Sequence, residues 1–285
     1  MIKIKGHQFV MGSNKSDGFA YDLESPEVIV NVNDFEIAST PVTNQEFQKF
    51  VNATGYITDA EHNNKSFVFR DSISQEIKEI SNIVEGLPWW YEVIGANWKQ
   101  PFGPNSSIED LLDHPVVHVS RKDAIEYCKW AGLRLPTEAE WEFAARGGLE
   151  KKPYPWGDEL YINGERNCNI WNGEFPEWDN KKELPQVKPV KSYTPNGYGL
   201  YQMSGNVWEW CLNRRWVELK DFNDNNYLNT LFSDVYKNIE NAQYAIRGGS
   251  FLCHDNYCRR YKVHGRNGNI ANSTSNNLSF RCVKN

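Results

Sequence analysis

The sequence lacks a long apolar stretch: no run approaches the roughly 18 apolar residues of a membrane-spanning helix. It also lacks an excess of positive charge, because 31 Lys and Arg residues face 37 Asp and Glu residues and the formal net charge is −6. This balance argues against nucleic acid or an anionic membrane as the main partner. No leader pattern opens the chain, which predicts a cytoplasmic protein or a mature form whose signal has been removed.

Internal repeats and linkers are missing as well, so residues 1–285 are predicted to form a single domain. A domain of this size buries roughly 75% of its unfolded surface and folds without disulfide staples. Helical periodicity is scarce, whereas 11 Trp, 14 Tyr and 14 Phe make the chain rich in aromatics. This composition indicates irregular loops, held by aromatic side chains, on a small regular frame.

A few regular elements stand out from the loops. Capping boxes predict helices at 43–54 and after Thr137, and Ser120 caps a third helix. Alternating valines predict a half-buried strand over 28–37. Two segments show little periodicity and are predicted to be loops, at 60–115 (with a short strand at 66–69) and at 220–240.

The segment 247–261 contains two cysteines, Cys253 and Cys258, behind a pair of glycines. Two thiols this close form a short disulfide, bind a soft metal or carry out redox chemistry, and their spacing alone does not decide between these. Arg247, Arg259 and Arg260 are near in sequence, and positive charge lowers the pKa of a thiol. The six cysteines of the chain allow several pairings, which also stay open at this point.

Short motifs along the chain carry a family resemblance, at residues 134–142, 155–157, 196–201, 205–210, 247–250 and 280–282. Together they resemble the sulfatase-modifying factor family, in order and over nearly the whole chain. The segment 248–258 is similar to the catalytic branch of that family, because the cysteine pair separates the oxidase from its non-catalytic relatives. The resemblance implies an α+β, C-type-lectin-like fold with low regular secondary structure.

The activity implied by this resemblance is the oxidation, by O2, of one cysteine to Cα-formylglycine. The partner would be an unfolded sulfatase segment bearing Cys-x-Pro-x-Arg, the cofactor copper and the reductant a thiol, and the enzyme would act as a monomer. Cys253 and Cys258 would hold Cu(I), since thiolates are soft ligands and two donors suit Cu(I) better than four-coordinate Zn²⁺.

Further site residues follow from positions that match the family motifs. Ser250, Tyr257 and Trp208 match residues that line the oxygen pocket, so they are expected to take part in catalysis. His254 and Asn277 are expected to bind the substrate peptide, and a structural role is the equal alternative for His254. Residues 269–272 depart from the family pattern near the expected peptide groove, so the peptide preference stays open.

Calcium is a second expected cofactor. Carbonyls of the glycine turn at 204–210, with a carboxylate, suit a hard cation such as Ca²⁺. The resemblance implies one site at Asn169 and the Ile170 carbonyl, completed by residues within 179–185 that depart from the family pattern. It implies a second site made of four residues, Gln202, Gly205, Val207 and Glu209.

The resemblance also implies a disulfide between Cys128 and Cys282. Closing that loop of about 155 residues would remove roughly 5 kcal/mol of unfolded-state entropy, against roughly 2 kcal/mol for the short loop at 253–258. Cys168 and Cys211 are expected to be small buried apolar residues. An alternative function is a non-catalytic, lectin-like binding module in which the cysteines of the 253–258 loop form a disulfide.

Overall fold

The computed structural model describes residues 1–14, 18–178 and 183–285. Its helices are α1 (Asn44–Thr54), α2 (Asp59–Asn63), α3 (Gln75–Glu79), α4 (Arg121–Ala131), α5 (Glu138–Arg146) and α6 (Asn225–Ser233). Its strands are β1 (Ile2–Ile4), β2 (Gln8–Met11), β3 (Val28–Asn31), β4 (Phe35–Ile37), β5 (Lys65–Phe69), β6 (Asn82–Val84), β7 (Leu87–Ile94), β8 (Tyr161–Ile162), β9 (Glu165–Arg166), β10 (Trp208–Arg214), β11 (Gln243–Arg247), β12 (Arg266–Ile270), β13 (Leu278–Ser279) and β14 (Val283–Lys284). Among the described residues, no helix has both the length and the apolar character needed to cross a membrane. Short helices and small sheets joined by irregular segments confirm the predicted α+β class.

The sheet that positions the cysteine loop has the strand order β12-β11-β10-β13. β11 is antiparallel to both β10 and β12, whereas β13 is parallel to β10. The pairs Glu209↔Arg247 and Trp208↔Leu278 place the start of β10, the end of β11 and β13 at one end of the sheet. Segments that are far apart in sequence therefore meet where β11 ends and the loop beginning at residue 248 follows.

The predicted helices form where their caps place them. Thr43 accepts from the Glu46 N–H, the Glu46 carboxylate accepts from the Thr43 N–H, and α1 ends at Gly55 with a left-handed φ of 68°. The same reciprocal box opens α4 at Ser120 and α5 at Thr137. These local signals fix helix ends whatever the tertiary fold, which is why the sequence reveals them.

The prediction of a long loop over 60–115 is wrong. This region contains the sheet β5-β7-β6, in which β7 pairs with β5 from Lys65↔Ile94 to Phe69↔Trp90. Most of β7 is partly buried on both faces, so its sequence does not alternate and the pattern of a half-buried strand is hidden. The short strand predicted at 66–69 is confirmed as part of β5.

Two further predictions need correction. The strand predicted over 28–37 is two strands, β3 and β4, although Val30 and Val32 are buried as expected. Residues 220–240, predicted to be a loop, contain α6, which begins where Asp224 accepts from the Asn226 N–H. That helix has no fully buried residue, but Leu228 and Leu231, at helical spacing, are partly buried against the core. The many Asn and Asp residues around this apolar stripe led to the prediction of a loop.

A buried ionic network fixes the end of β11. All of α5 is buried, including its carboxylates. Arg247 Nη2 lies 2.6 Å from Glu142 Oε2, and Arg266 Nη2 lies 2.6 Å from Glu138 Oε2, with none of these side chains exposed. Burial raises the pKa of Glu138, but the charge and hydrogen bond of Arg266, the charge of Arg247 and the hydrogen bond from Asn213 together outweigh it and lower that pKa to about 2. The network holds α5, β11 and β12 as one rigid support for the loop.

Candidate active site

Two glycines let the cysteine loop turn back beside the sheet. Gly248 and Gly249 have left-handed φ values of 92° and 74°. A Cβ at Gly249 would lie 2.9 Å from the Tyr261 Cα atom, and one at Gly248 would lie 3.1 Å from the Trp141 ring. Only glycine combines this backbone conformation with so close an approach.

The loop brings Cys253 and Cys258 together. Their Sγ atoms lie 2.6 Å apart, and both side chains are buried free thiols. Backbone turns set this approach, because Cys253 N donates to the Ser250 carbonyl at 2.9 Å and Cys258 N donates to the His254 carbonyl at 2.7 Å. Two sulfur atoms at one point form a soft donor pair.

The two thiols differ in acidity. Burial raises the pKa of the Cys253 thiol well above its ordinary value, and its contact with Cys258 raises it further. Burial acts on Cys258 in the same direction, but hydrogen bonds from Cys253 and from the backbone and side chain of Arg260 outweigh it and lower the Cys258 pKa. The pair therefore loses its first proton from Cys258 and holds the second more tightly.

Both cysteines face a cleft of about 480 Å³. The site residues predicted from sequence that line it are Trp208, Ser250, Cys253, Tyr257, Cys258 and Asn277. Apolar side chains such as Leu87 and Trp90 share the lining with polar ones such as Asn267 and Asn269. A cleft with apolar walls and a few convergent polar groups is typical of a binding site.

Ser250 presents a hydroxyl beside the sulfur pair. Its Oγ accepts hydrogen bonds from Asn277 Nδ2 at 3.0 Å and from Leu252 N at 3.3 Å. Because both contacts use the oxygen as acceptor, the hydroxyl proton is available to the cleft. Asn277 Oδ1 in turn accepts from Ser275 Oγ at 2.8 Å. Both ends of the Asn277 amide are thus engaged within the protein, so Asn277 orients Ser250.

Tyr257 forms the aromatic rim of the site. Its ring stacks on Phe175 with centroids 4.1 Å apart and meets Trp89 edge-on at 5.2 Å. Burial raises the pKa of Tyr257 to about 12, and the nearby Cys258 adds to this. The hydroxyl therefore keeps its proton at neutral pH and can donate a hydrogen bond.

Several residues of the cleft were not found from the sequence. Phe19 and Tyr21, which precede β3, line it together with Leu87 of β7. Arg260, a neighbour of the cysteines in sequence, contacts the carboxylate of Asp22, 238 residues away. No local pattern indicates a contact of that separation, so only the positive charge near the thiols was predictable.

The comparisons with known proteins agree with this geometry. Residues 1–285 match the family described as "Sulfatase-modifying factor enzyme 1-like domain". The formylglycine-generating enzyme of Streptomyces coelicolor is 44% identical over 283 residues, which cover 99% of this chain and 88% of the relative. The chain belongs to the sulfatase-modifying factor family.

The family contains both active and inactive members. A mouse relative named "Inactive C-alpha-formylglycine-generating enzyme 2" is 39% identical over 287 residues, covering 99% of this chain and 85% of that protein. Among solved structures, PvdO from Pseudomonas aeruginosa aligns with a TM-score of 0.65 at 21% identity, over 99% of this chain and 92% of that one. This structural likeness confirms the predicted family fold. Because one relative is named inactive, membership in the family does not by itself establish catalysis, which depends on the residues of the site.

His254 and two of the three arginines near the cysteines in sequence do not line the cleft. His254 Nδ1 lies 2.5 Å from Asn256 Oδ1, and His254 is not among the described residues that line the cleft. Arg247 is engaged by Glu142, and Arg259 Nε donates to the Asp255 carbonyl. Of the three predicted arginines, Arg260 is the one that lines the cleft.

The second calcium site implied by the family does not fit this arrangement. The Glu209 carboxylate forms two contacts with Arg281, of 2.6 and 2.7 Å, and accepts from Trp141 Nε1 at 2.7 Å. The Gln202 Oε1 atom accepts from Asn206 Nδ2 at 2.5 Å. Calcium sites combine carbonyl oxygens with carboxylates, and here the carboxylate of the set is already neutralised by a guanidinium. The remaining members, Gly205 and Val207, offer only backbone carbonyls.

The first calcium site is only partly described. Asn169 and Ile170 lie beside the glycine turn, since Asn206 N donates to the Asn169 carbonyl at 2.7 Å. Asn169 Nδ2 donates to Gln186 O and Asn206 Oδ1. Of the segment 179–185 that would complete the site, residues 179–182 lie outside the described residues. The prediction for this site therefore stays a prediction.

The predicted disulfide partners do meet. Cys128 Sγ and Cys282 Sγ lie 3.5 Å apart, and both cysteines are buried free thiols. The structure thus brings the pair together without the bond, and the disulfide stays a prediction. Cys168 and Cys211 are buried as expected, and burial raises the pKa of Cys168 to about 12 and that of Cys211 well above its ordinary value.

Proposed function

We propose that this protein is a copper-dependent oxidase that converts the cysteine of a Cys-x-Pro-x-Arg segment in an unfolded sulfatase to Cα-formylglycine, using O2 and a thiol reductant. The observation that supports this most is the buried pair of sulfur atoms, 2.6 Å apart, at the wall of a cleft of about 480 Å³. Family membership, with a formylglycine-generating enzyme at 44% identity, supports the class of reaction.

The residues present fit a Cu(I) ion. Cys253 and Cys258 supply two soft donors, and soft thiolates select Cu(I). Among the residues that the structure describes, no cluster of three or more His, Cys, Asp or Glu side chains is placed to hold a metal ion, so a full zinc ligand set is not at hand. When bound at the two sulfur atoms, Cu(I) would supply the electron-rich centre that activates O2.

The overall conversion balances with one O2 and a thiol reductant. The substrate side chain, CH2–SH, loses two hydrogens and becomes a thioaldehyde. Water then replaces the sulfur with oxygen, which gives the aldehyde and releases hydrogen sulfide. O2 takes the two electrons of that oxidation and two more from the reductant, two thiols of which form a disulfide, and leaves as two molecules of water.

The side chains of the cleft have separate tasks. The Ser250 hydroxyl, oriented by Asn277, donates a hydrogen bond to oxygen as it gains negative charge, which is the moment when a preorganised donor is most effective. The Trp208 indole packs beside the cysteines and keeps water from the reacting groups. Tyr257, which keeps its proton at neutral pH, is a second hydrogen-bond donor at the rim.

A non-catalytic binding module is the second candidate. The mouse relative named inactive supports it, since that protein matches the same 99% of this chain. In such a module the cysteines would be a disulfide or idle thiols, whereas the oxidase needs both as metal ligands. The two candidates therefore differ in whether the pair binds copper and whether a substrate peptide changes mass.

The deciding experiment incubates the full chain with Cu(I), a thiol reductant and a Cys-x-Pro-x-Arg peptide in aerated buffer. Mass spectrometry is expected to show the peptide losing the mass that separates a CH2–SH side chain from an aldehyde. A peptide with serine in place of the cysteine is the control and is expected to stay unchanged. An unchanged cysteine peptide, with copper demonstrably bound to the protein, would overturn the oxidase proposal and favour the binding module.

A further inference from the structure

Arg260 is the only charged side chain among the described residues that line the cleft. It follows Cys258 by two positions in the same loop and lines the same cleft as both cysteines. Within the described lining of the cleft, this guanidinium is therefore the one charged group that can balance negative charge on the two sulfur atoms.

The segment before β3 holds the guanidinium in place. Arg260 Nε lies 2.5 Å from Asp22 Oδ2, and Arg260 Nη2 lies 3.2 Å from both Asp22 Oδ1 and the Tyr21 hydroxyl. The guanidinium carbon lies 4.1 Å from the centroid of the Phe19 ring. Contacts on one edge and one face of the guanidinium leave the Arg260 side chain little freedom, so its positive charge is held at one position.

Asp22 does not cancel that charge. Its fully buried carboxylate is shared with a second guanidinium, that of Arg215, at 2.6 Å. One negative charge against two positive ones leaves this cluster of Asp22, Arg215 and Arg260 with a net positive charge. Two thiolates with one Cu(I) ion carry a net negative charge, and an unbalanced buried charge is costly. The cluster and the loaded sulfur pair therefore complement each other.

We propose that Arg260 is a positioning residue that balances the negative charge of Cys253 and Cys258 when they hold Cu(I), with Asp22 fixing its guanidinium at the wall of the cleft. This inference rests on the proposed function, because it concerns copper at the two sulfur atoms. It assigns the segment before β3 a part in the site, although that segment lies more than 200 residues from the cysteine loop.

Copper affinity tests the inference without reference to turnover. The full chain, kept reduced and free of O2, competes for Cu(I) with a chromophoric Cu(I) chelator. R260Q is expected to weaken Cu(I) binding about 10- to 100-fold, the range found for partners that orient or support metal ligands. R260K is expected to retain most of the affinity because it keeps the charge. R259Q, which removes the same charge from a side chain directed at the Asp255 carbonyl, is the matched control and is expected to bind like the unmodified chain.

The outcomes separate this inference from the proposed function. Equal affinity of R260Q and R259Q would overturn the role of Arg260 and leave the copper oxidase standing. Failure of the unmodified chain to bind Cu(I) would overturn both. Thermal melting shows which variants are folded. If R260Q does not fold, R260K is used for the test instead. A loss of Cu(I) affinity in R260K as large as that expected for R260Q would overturn the role of Arg260 in charge balance.

Discussion

The chain contains two buried thiol pairs, and their surroundings differ more than their geometry. Cys253 and Cys258 have sulfur atoms 2.6 Å apart, and Cys128 and Cys282 have theirs 3.5 Å apart. The first pair faces a cleft with hydroxyl, amide and guanidinium groups. The second lies where α4 meets the C-terminal segment; both pairs belong to the same hydrophobic core, but this one does not line the cleft. Access and nearby polar groups, rather than the closeness of two sulfurs, make the first pair suited to chemistry.

The largest expected difference between the pairs is in activity. Cys258→Ala removes one of the two proposed copper ligands, so conversion of the Cys-x-Pro-x-Arg peptide is expected to fall below detection. Cys282→Ala removes a thiol of similar burial that does not line the cleft, so activity per folded molecule is expected to stay near that of the unmodified chain. Mass spectrometry of the peptide measures both. Equal losses in the two variants would contradict the functional distinction between the pairs.

The largest expected loss of stability comes from the buried ionic network that supports the loop of Cys253 and Cys258. Glu138→Gln leaves Arg266 without its buried counter-charge, while Arg247 keeps Glu142, and it is expected to cost about 3–5 kcal/mol. Glu177→Gln, in an exposed pair with Arg70, is the control and is expected to cost less than about 1 kcal/mol. Urea unfolding measures both, and equal costs would mean that the network does not hold the loop.

The same carboxylate sets a pH dependence. The pKa of Glu138 is lowered to about 2, since the two arginines and Asn213 together outweigh burial. A folded-state pKa below the unfolded one stabilises the protein above the unfolded value, near 4.5, and that stabilisation is lost as pH falls toward 2. Glu138→Gln is therefore expected to show a shallower loss of stability between these pH values, and an unchanged slope would contradict the assignment.

A smaller effect is expected from the polar groups that the second pair lacks. Ser250→Ala removes the hydroxyl beside the cysteines and is expected to slow peptide conversion about 100-fold, as loss of one preorganised donor does. Copper affinity should stay unchanged, because the hydroxyl is not a ligand. Ser192→Ala, whose hydroxyl donates to the Pro189 carbonyl in a surface turn, is the control. A parallel loss of copper affinity in Ser250→Ala would show that the loop itself had been disturbed.

The smallest expected effect concerns calcium. Because Arg281 already neutralises Glu209, Glu209→Gln is expected to leave the change in melting temperature between Ca²⁺ and EDTA nearly the same as in the unmodified chain. A ligand present at 100 times its Kd would add about 2.7 kcal/mol of stability. Stabilisation of that size, removed by Glu209→Gln, would restore the family's second calcium site.

Local signals made part of this molecule predictable. The caps at Thr43, Ser120 and Thr137 fix helix ends within a few residues, so the sequence alone locates α1, α4 and α5. The cysteine loop was predictable because its glycines, thiols and arginines lie within 15 residues of one another. These features depend on short stretches of chain and need no tertiary information.

Contacts across the sequence account for what was missed. The sheet β5-β7-β6 was hidden because β7 is partly buried on both faces and does not alternate. The burial of Glu138 depends on Arg266, 128 residues away, and the place of Arg260 depends on Asp22. From sequence alone, charged side chains are predicted to be exposed, because their buried partners are known only from the fold. The ionic network could therefore not be predicted residue by residue.

X-ray absorption at the copper edge tests the central claim most directly. The full chain, reduced and loaded with one equivalent of Cu(I), is compared with the Cys258→Ala and Cys282→Ala variants treated in the same way. We expect sulfur-only coordination in the unmodified chain and in Cys282→Ala, and its loss in Cys258→Ala. Nitrogen or oxygen ligands in the unmodified chain, or a sulfur signal that depends on Cys282 instead, would contradict the assignment of copper to the pair that faces the cleft.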